Sequence, residues 1–210
     1  MKIKVIFFIL IILGTNSCIN LKNEYPEIKY YNLSQVNTNK LDLYNINGSL
    51  LIRDIAVSST LFGSQIMVNW DGKKIQRYFY HRWAEDFDLI AYDFFLLRIS
   101  NSNLFKKGVV KNISSLLPDY LLDINILNLY VESRSNSDEI NFVNAEVSVT
   151  LSKRGVTLKD NELIFTKIYN NRIVRNNNQV DNVAEFVSLT LSKITDNIIV
   201  DISNTVINQK

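Results

Sequence analysis

A chain of 210 residues, 47% hydrophobic and 21% charged, can bury one core of ordinary size and is neither a disordered tail nor a pair of large domains. Its 23 Lys and Arg face 21 Asp and Glu, and without Lys2 and Lys4, the only charges before Cys18, each sign counts 21, a balance that excludes a general nucleic-acid binder. One His and one Cys exclude a Cys/His zinc cluster, a two-histidine helix motif and an internal disulfide.

Residues 1–17 have the build of a secretory signal peptide. Met1 to Lys4 is basic, Val5 to Leu13 is an unbroken run of nine apolar residues, and Gly14 to Ser17 is small and polar. A spanning helix needs roughly 20 apolar residues, so this run is too short for a comfortable permanent anchor. Cys18 follows directly, which is the arrangement of a bacterial lipoprotein whose cysteine is acylated, with palmitate among its chains, and becomes the new N-terminus. Thr15 stands where such sites usually carry Leu, and a stray cysteine beside an ordinary signal is the other reading. Ile19 is not an acidic inner-membrane retention residue, which points to the periplasmic face of the outer membrane. Lipid chains at about 0.8 kcal/mol per buried CH₂ would hold the domain on a bilayer with no apolar patch on the fold itself. Residues 18–29 then form a lipidated tether, and residues 30–210 a single domain.

Tyr30 to Leu33 predicts a short strand, since aromatic residues suit a half-buried pleated surface. Ser34 to Asn47 is Asn-rich and reads as a surface loop. Leu50 to Val57 is apolar enough for a central strand. Ser64 to Trp70 and Lys73 to Tyr80 flank the turn dipeptide Asp71-Gly72 and predict a hairpin. From Trp83 to Ser102 the period changes. Phe87, Ile90, Ala91, Phe94 and Leu97 take helical spacing, Phe95 and Ile99 widen the apolar surface, and Glu85, Asp86 and Asp88 crowd the first turn. Leu121 to Val131 alternates but slips its parity after Ile126, as a β-bulge would produce. Val143 to Leu151 alternates cleanly, with one face for the core. Leu163 to Ile168 predicts a shorter strand ending before Asn170-Asn171. A long C-terminal helix follows Asn182, which with Glu185 makes a capping-box-like pair, and its stripe is Val183, Val187, Leu191, Ile194, Ile198, Ile202 and Val206. That stripe suits core packing better than pairing with a second copy of the chain. The order of elements predicts an α+β fold, a two-layer domain with a mainly antiparallel sheet and two helices packed on one face.

Arg77-Tyr78-Phe79-Tyr80-His81-Arg82-Trp83 concentrates large aromatic bodies, polar handles and two guanidinium groups at a strand-to-helix junction. Arg77, Tyr78, Tyr80, His81, Arg82 and Trp83 are therefore partner-interface candidates. The competing reading is that they close the end of the core, with Trp83 under the first helix. Hydrolase chemistry on His81 lacks a Gly-x-Ser-x-Gly elbow, the acids at 85–88 are explained by the helix dipole, and no Gly-rich phosphate loop exists. The expectation is a protein that is not an enzyme and needs no cofactor or metal.

Tyr30-Tyr31-x-Leu33, the strand Leu50 to Val57, the run Arg77 to Glu85 and Asn103-Leu104-Phe105 together resemble the ABC-type transport auxiliary lipoproteins, including their PqiC-like branch. The resemblance implies a non-catalytic accessory subunit of an MCE-type system that moves lipids or hydrophobic compounds across the cell envelope. Its partners would be the MCE-domain subunit with its permease and ATPase, with the membrane engaged through the lipid anchor. Two other readings stand beside it: an envelope lipoprotein that activates a cell-wall enzyme, and a lipid-binding shuttle with a sizeable apolar cavity.

Overall fold

The computed structural model describes residues 26–36, 41–111, 114, 116–133, 141–175 and 180–208. The signal peptide, Cys18 and most of the tether lie outside these residues. In chain order the elements are β1 (Lys29–Tyr31), β2 (Leu50–Ile52), β3 (Ala56–Val57), β4 (Gln65–Trp70), β5 (Lys74–Trp83), helix α1 (Phe87–Asn101), β6 (Val109–Val110), β7 (Tyr120–Ser133), β8 (Asn141–Lys153), β9 (Glu162–Arg175) and helix α2 (Val183–Asn208).

All the strands join one sheet with β7 as its spine. On one edge β7 takes β8 and then β9, both antiparallel. On its other edge it takes β2, β3 and β4 in succession, all parallel, with Leu50 opposite Tyr120, Val57 opposite Ile126 and Val68 opposite Val131. The stretch from 50 to 70 is thus a single interrupted strand, broken at Arg53–Ile55 and by a 3₁₀ turn at Ser59–Leu61. Beyond β4 the sheet continues to β5, antiparallel, and to β1, parallel to β5. The fold is α+β as expected, but the sheet is mixed rather than mainly antiparallel. Side-chain alternation reports which face of a strand is buried and is silent on the direction of its neighbour. A parallel pairing needs a crossover, here supplied by β5, α1 and β6.

Other boundaries differ from the sequence reading for local reasons. The junction read as the start of a helix is still strand: Tyr31 faces Trp83, and the Ala84 N–H donates to the Tyr31 carbonyl. Helix α1 begins only at Phe87. β9 runs to Arg175, well past Ile168, because Asn170 and Asn171 pair with Glu146 and Ala145 instead of turning. The parity slip in β7 is a true bulge, with the register to β8 shifting between Ile126 and Asn128.

Both helices lie against the apolar face of the sheet and touch one another. Every residue of the α2 stripe from Val183 to Val206 is buried, as are Val143, Ala145, Val147, Val149 and Leu151 of β8. In α1 the buried set is Phe87, Ile90, Ala91, Phe94, Phe95 and Ile99, while Leu97 faces outward and Arg98 takes an inward place. The segment read as a surface loop between β1 and β2 crosses both helices. Ser34 N donates to Ser188 Oγ, Val36 O accepts from Arg98 Nη1, and Tyr44 N donates to Ser203 Oγ. Ile46 at its end is buried beside Phe105. Among the described residues no helix is long and apolar enough to cross a membrane.

Candidate functional site

The aromatic run sits on β5 at an irregularity of the backbone. Met67 of β4 faces Arg77 and Gln65 faces Arg82, so β5 advances five residues while β4 advances two, and the surplus is absorbed within Tyr78–His81. A bulge re-aims side chains that regular alternation would place on opposite faces. Phe79 and Tyr80, adjacent in sequence, are both exposed there, at 67% and 44%. Arg77 donates to Gln65 Oε1 at 3.0 Å and Arg82 Nε to the Phe79 carbonyl at 3.3 Å, which holds the two guanidinium groups beside the aromatic rings. Tyr30 of β1, opposite Arg82 and also exposed, extends the same surface. It was absent from the candidate residues, although the Tyr30-Tyr31 pair was visible in the sequence.

The remaining candidates have structural partners. Trp83 is 4% exposed, tilted against Phe87 with ring centroids 5.2 Å apart, and belongs to the core. It closes the end of the core, the competing role read from the sequence. Tyr78 is half-buried. Burial raises its phenol above the ordinary value, opposed by the charge of Arg175 and a hydrogen bond with Ser133. Three strands, β4, β7 and β8, separate β5 from the strand of Arg175, so the sheet coils strongly enough to bring those two ends together.

His81 belongs to a clasp that joins three elements. Tyr31 Oη donates to Asp181 Oδ1 at 2.5 Å, and with that proton committed His81 Nδ1 donates to Tyr31 Oη at 2.8 Å. The Tyr31 and His81 rings stack at 5.7 Å, and Tyr78 meets His81 edge-on at 5.9 Å. Lys29 Nζ reaches both Asp181 oxygens at 3.1 Å. Burial first, then the hydrogen bond to Asp181 and its charge, push the Tyr31 phenol up to about 12. Hydrogen bonds from Tyr31 and then Lys29 hold the Asp181 carboxyl below the usual carboxylate range. Asp181 stands in the turn that leads into α2, so the clasp fastens β1, the strand nearest the tether, to β5 and α2. No local pattern points to Asp181, which lies 150 residues from Tyr31.

Two concave features flank this region. The space where β4, β7, α1 and α2 meet, lined by Leu61, Ile66, Trp83, Phe87, Leu129 and Val187 among others, is a cavity of about 10 Å³, which admits one water and no acyl chain. An open groove of about 290 Å³ lies between Asn32, Leu33 and Gln35 and the outer side of α1 at Asp93 and Leu97.

No protein-family model and no curated protein matches the sequence. Solved structures do. The crystal structure of protein XCC0632 from Xanthomonas campestris, of the DUF330 family model, superposes with a TM-score of 0.73 at 14% identity, covering 86% of this chain and 98% of that one. An uncharacterized protein follows at TM-score 0.63 and 16% identity, covering 84% and 99%. The hypothetical protein CT253 from Chlamydia trachomatis gives 0.52 at 10% identity, covering 77% and 98%. The chain shares the fold of these proteins over most of its described length.

Proposed function

We propose that this chain is an envelope lipoprotein, acylated at Cys18, that serves as a non-catalytic accessory subunit of an MCE-type ABC transport system. The observation that supports the reading best is the bulged end of β5. There Phe79 and Tyr80, with Tyr30 beside them and Arg77 and Arg82 held in place, form an exposed aromatic and cationic surface on a rigid sheet. Aromatic and Arg side chains are the residues from which partner hot spots are made. The clasp at Tyr31 places this surface next to the point where the tether enters the domain. The MCE-domain subunit is the proposed contact, with the permease and ATPase reached through it. The space where β4, β7, α1 and α2 meet has no room for an acyl chain, which weighs against a shuttle that carries lipid at that point.

The test is affinity purification of the full-length protein from envelope membranes, with mass spectrometry of the bound proteins and of the Cys18 peptide. Co-purification of an MCE-domain protein with an acylated bait is the expected result. Phe79→Ser with Tyr80→Ser should abolish that capture while shifting stability by no more than about 0.5 kcal/mol, the usual effect of an exposed substitution. Capture of a cell-wall synthase in its place, or an unmodified Cys18, would refute the reading.

A further inference from the structure

The end of the sheet where β7 begins carries apolar side chains that the core does not use. Leu50 faces both Val109 and Tyr120, Tyr120 faces Lys153, and Lys153 faces Glu162, so the loops before β7 and between β8 and β9 emerge at one end. The Arg154 N–H donates to the Asp119 carbonyl at 2.9 Å and binds the two loops together. At their tips Leu116, Leu117 and Val156 are 68%, 76% and 96% exposed.

These tips are built. A Cβ on Gly155 would come within 2.4 Å of the Asp160 carbonyl oxygen, so the loop folds tightly on itself there. Gly155 N–H donates to Asn161 Oδ1, and Thr157 donates to Asp160 through both its N–H and its hydroxyl. Pro118 stiffens the other loop beside Leu117. Lys153, Arg154 and Lys159 lie in or beside the β8–β9 loop, and Lys107, next to Lys106, reaches Asp119 of the other loop, against the acids Asp119, Asp160 and Glu162. Two of those acids are engaged from within: Ser49 and Lys107 both donate to Asp119, and Thr157 donates to Asp160. The end therefore offers exposed apolar side chains inside a rim where five cations stand against three acids, in a chain with as many acids as bases after residue 17.

We infer that this end of the fold docks on an anionic lipid surface, inserting Leu116, Leu117 and Val156 between headgroups that the surrounding Lys and Arg engage. Apolar insertion and attraction to anionic headgroups are the two contributions that hold peripheral proteins on bilayers. The contact is separate from acylation at Cys18 and from the aromatic surface on β5, and holds whether or not an MCE partner exists.

The chain from Ile19 onward keeps every described element and lacks the acylation site, so it isolates the contribution of the fold. It should co-sediment with vesicles of phosphatidylethanolamine and phosphatidylglycerol, less so as salt rises, and not with phosphatidylcholine alone. Leu116→Ser with Leu117→Ser should lower partitioning at least about tenfold with unchanged thermal melting, since neither side chain packs in the core. Failure of the parent chain to bind the anionic vesicles, equal binding to phosphatidylcholine, or equal binding of the double variant would each overturn the assignment.

Discussion

Tyr31 carries the attachment of β1, a strand of only three residues, and its titration exposes how that attachment works. The phenol is raised in the folded protein from its ordinary value of 10.0 to about 12, so its contribution is complete below pH 10 and is lost as pH rises through 12. Asp181 is shifted the other way. Its contribution is present above the ordinary carboxylate range and disappears as pH falls through its lowered folded value. The clasp is therefore closed across the neutral range and opens at both extremes. Phenolate absorbance should include the titration of Tyr31 near pH 12, identified by its loss in Tyr31→Phe. Asp181→Ala, which removes both the charge and the acceptor, should bring that transition down toward 10 without reaching it, because burial, the largest cause, remains. A titration that does not move in this variant would mean that the hydrogen bond to Asp181 is not formed.

Between elements, the decisive contact is one the sequence conceals. Arg98 interrupts an apolar helix on its buried stripe, four residues after Phe94, and only its charge would assign it to the exposed face. In the fold it is 8% exposed, with Nε and Nη2 donating to Asp196 of α2 at 2.9 and 2.7 Å and Nη1 to the Val36 carbonyl at 2.9 Å. One side chain thus joins α1, α2 and the segment that crosses them. Loss of one partner strands a buried charge, so Arg98→Ala should cost about 3 kcal/mol or more. The pair Arg98→Met with Asp196→Leu should recover most of that, as an apolar contact replaces an ion pair. Urea denaturation midpoints of the single and double variants decide it; a double variant no more stable than the single one would show that the geometry of the pair is indispensable. The same distinction explains what could be read in advance. The α2 stripe, the clean alternation of β8 and the β7 bulge follow from periodicity, which burial enforces. The partners of Arg98, the role of Asp181, the parallel pairing of β7 and the length of β9 depend on contacts across the fold, and no local pattern encodes those. Within the candidate surface, the residue types on β5 were legible, but their exposure was not: Phe79 and Tyr80 are exposed, while Trp83 packs on Phe87 in the core.

At the scale of the whole molecule, the two edges of β7 are assembled over very different distances along the chain. The β7–β8–β9 meander is contiguous and antiparallel, with 7 residues between β7 and β8 and 8 between β8 and β9. The parallel edge needs Leu50 to find Tyr120 and Val68 to find Val131, pairings that close loops of roughly 60–70 residues before any contact rewards them. The meander is the cheaper nucleus, and β2, β3 and β4 add to it once its exposed edge exists. Val147 lies at the centre of the meander between Ile126 and Tyr169, whereas Val68 lies on the parallel edge, and both are fully buried. Truncation of either to Ala should destabilise, but by different kinetic routes. Val147→Ala should mainly slow folding, with a φ-value above about 0.5, and Val68→Ala should mainly speed unfolding, with a φ-value below about 0.3. Chevron analysis of the two variants measures both, and a higher φ-value at Val68 than at Val147 would place the nucleus on the parallel edge, where loop closure would have to be offset by structure already present in the unfolded chain.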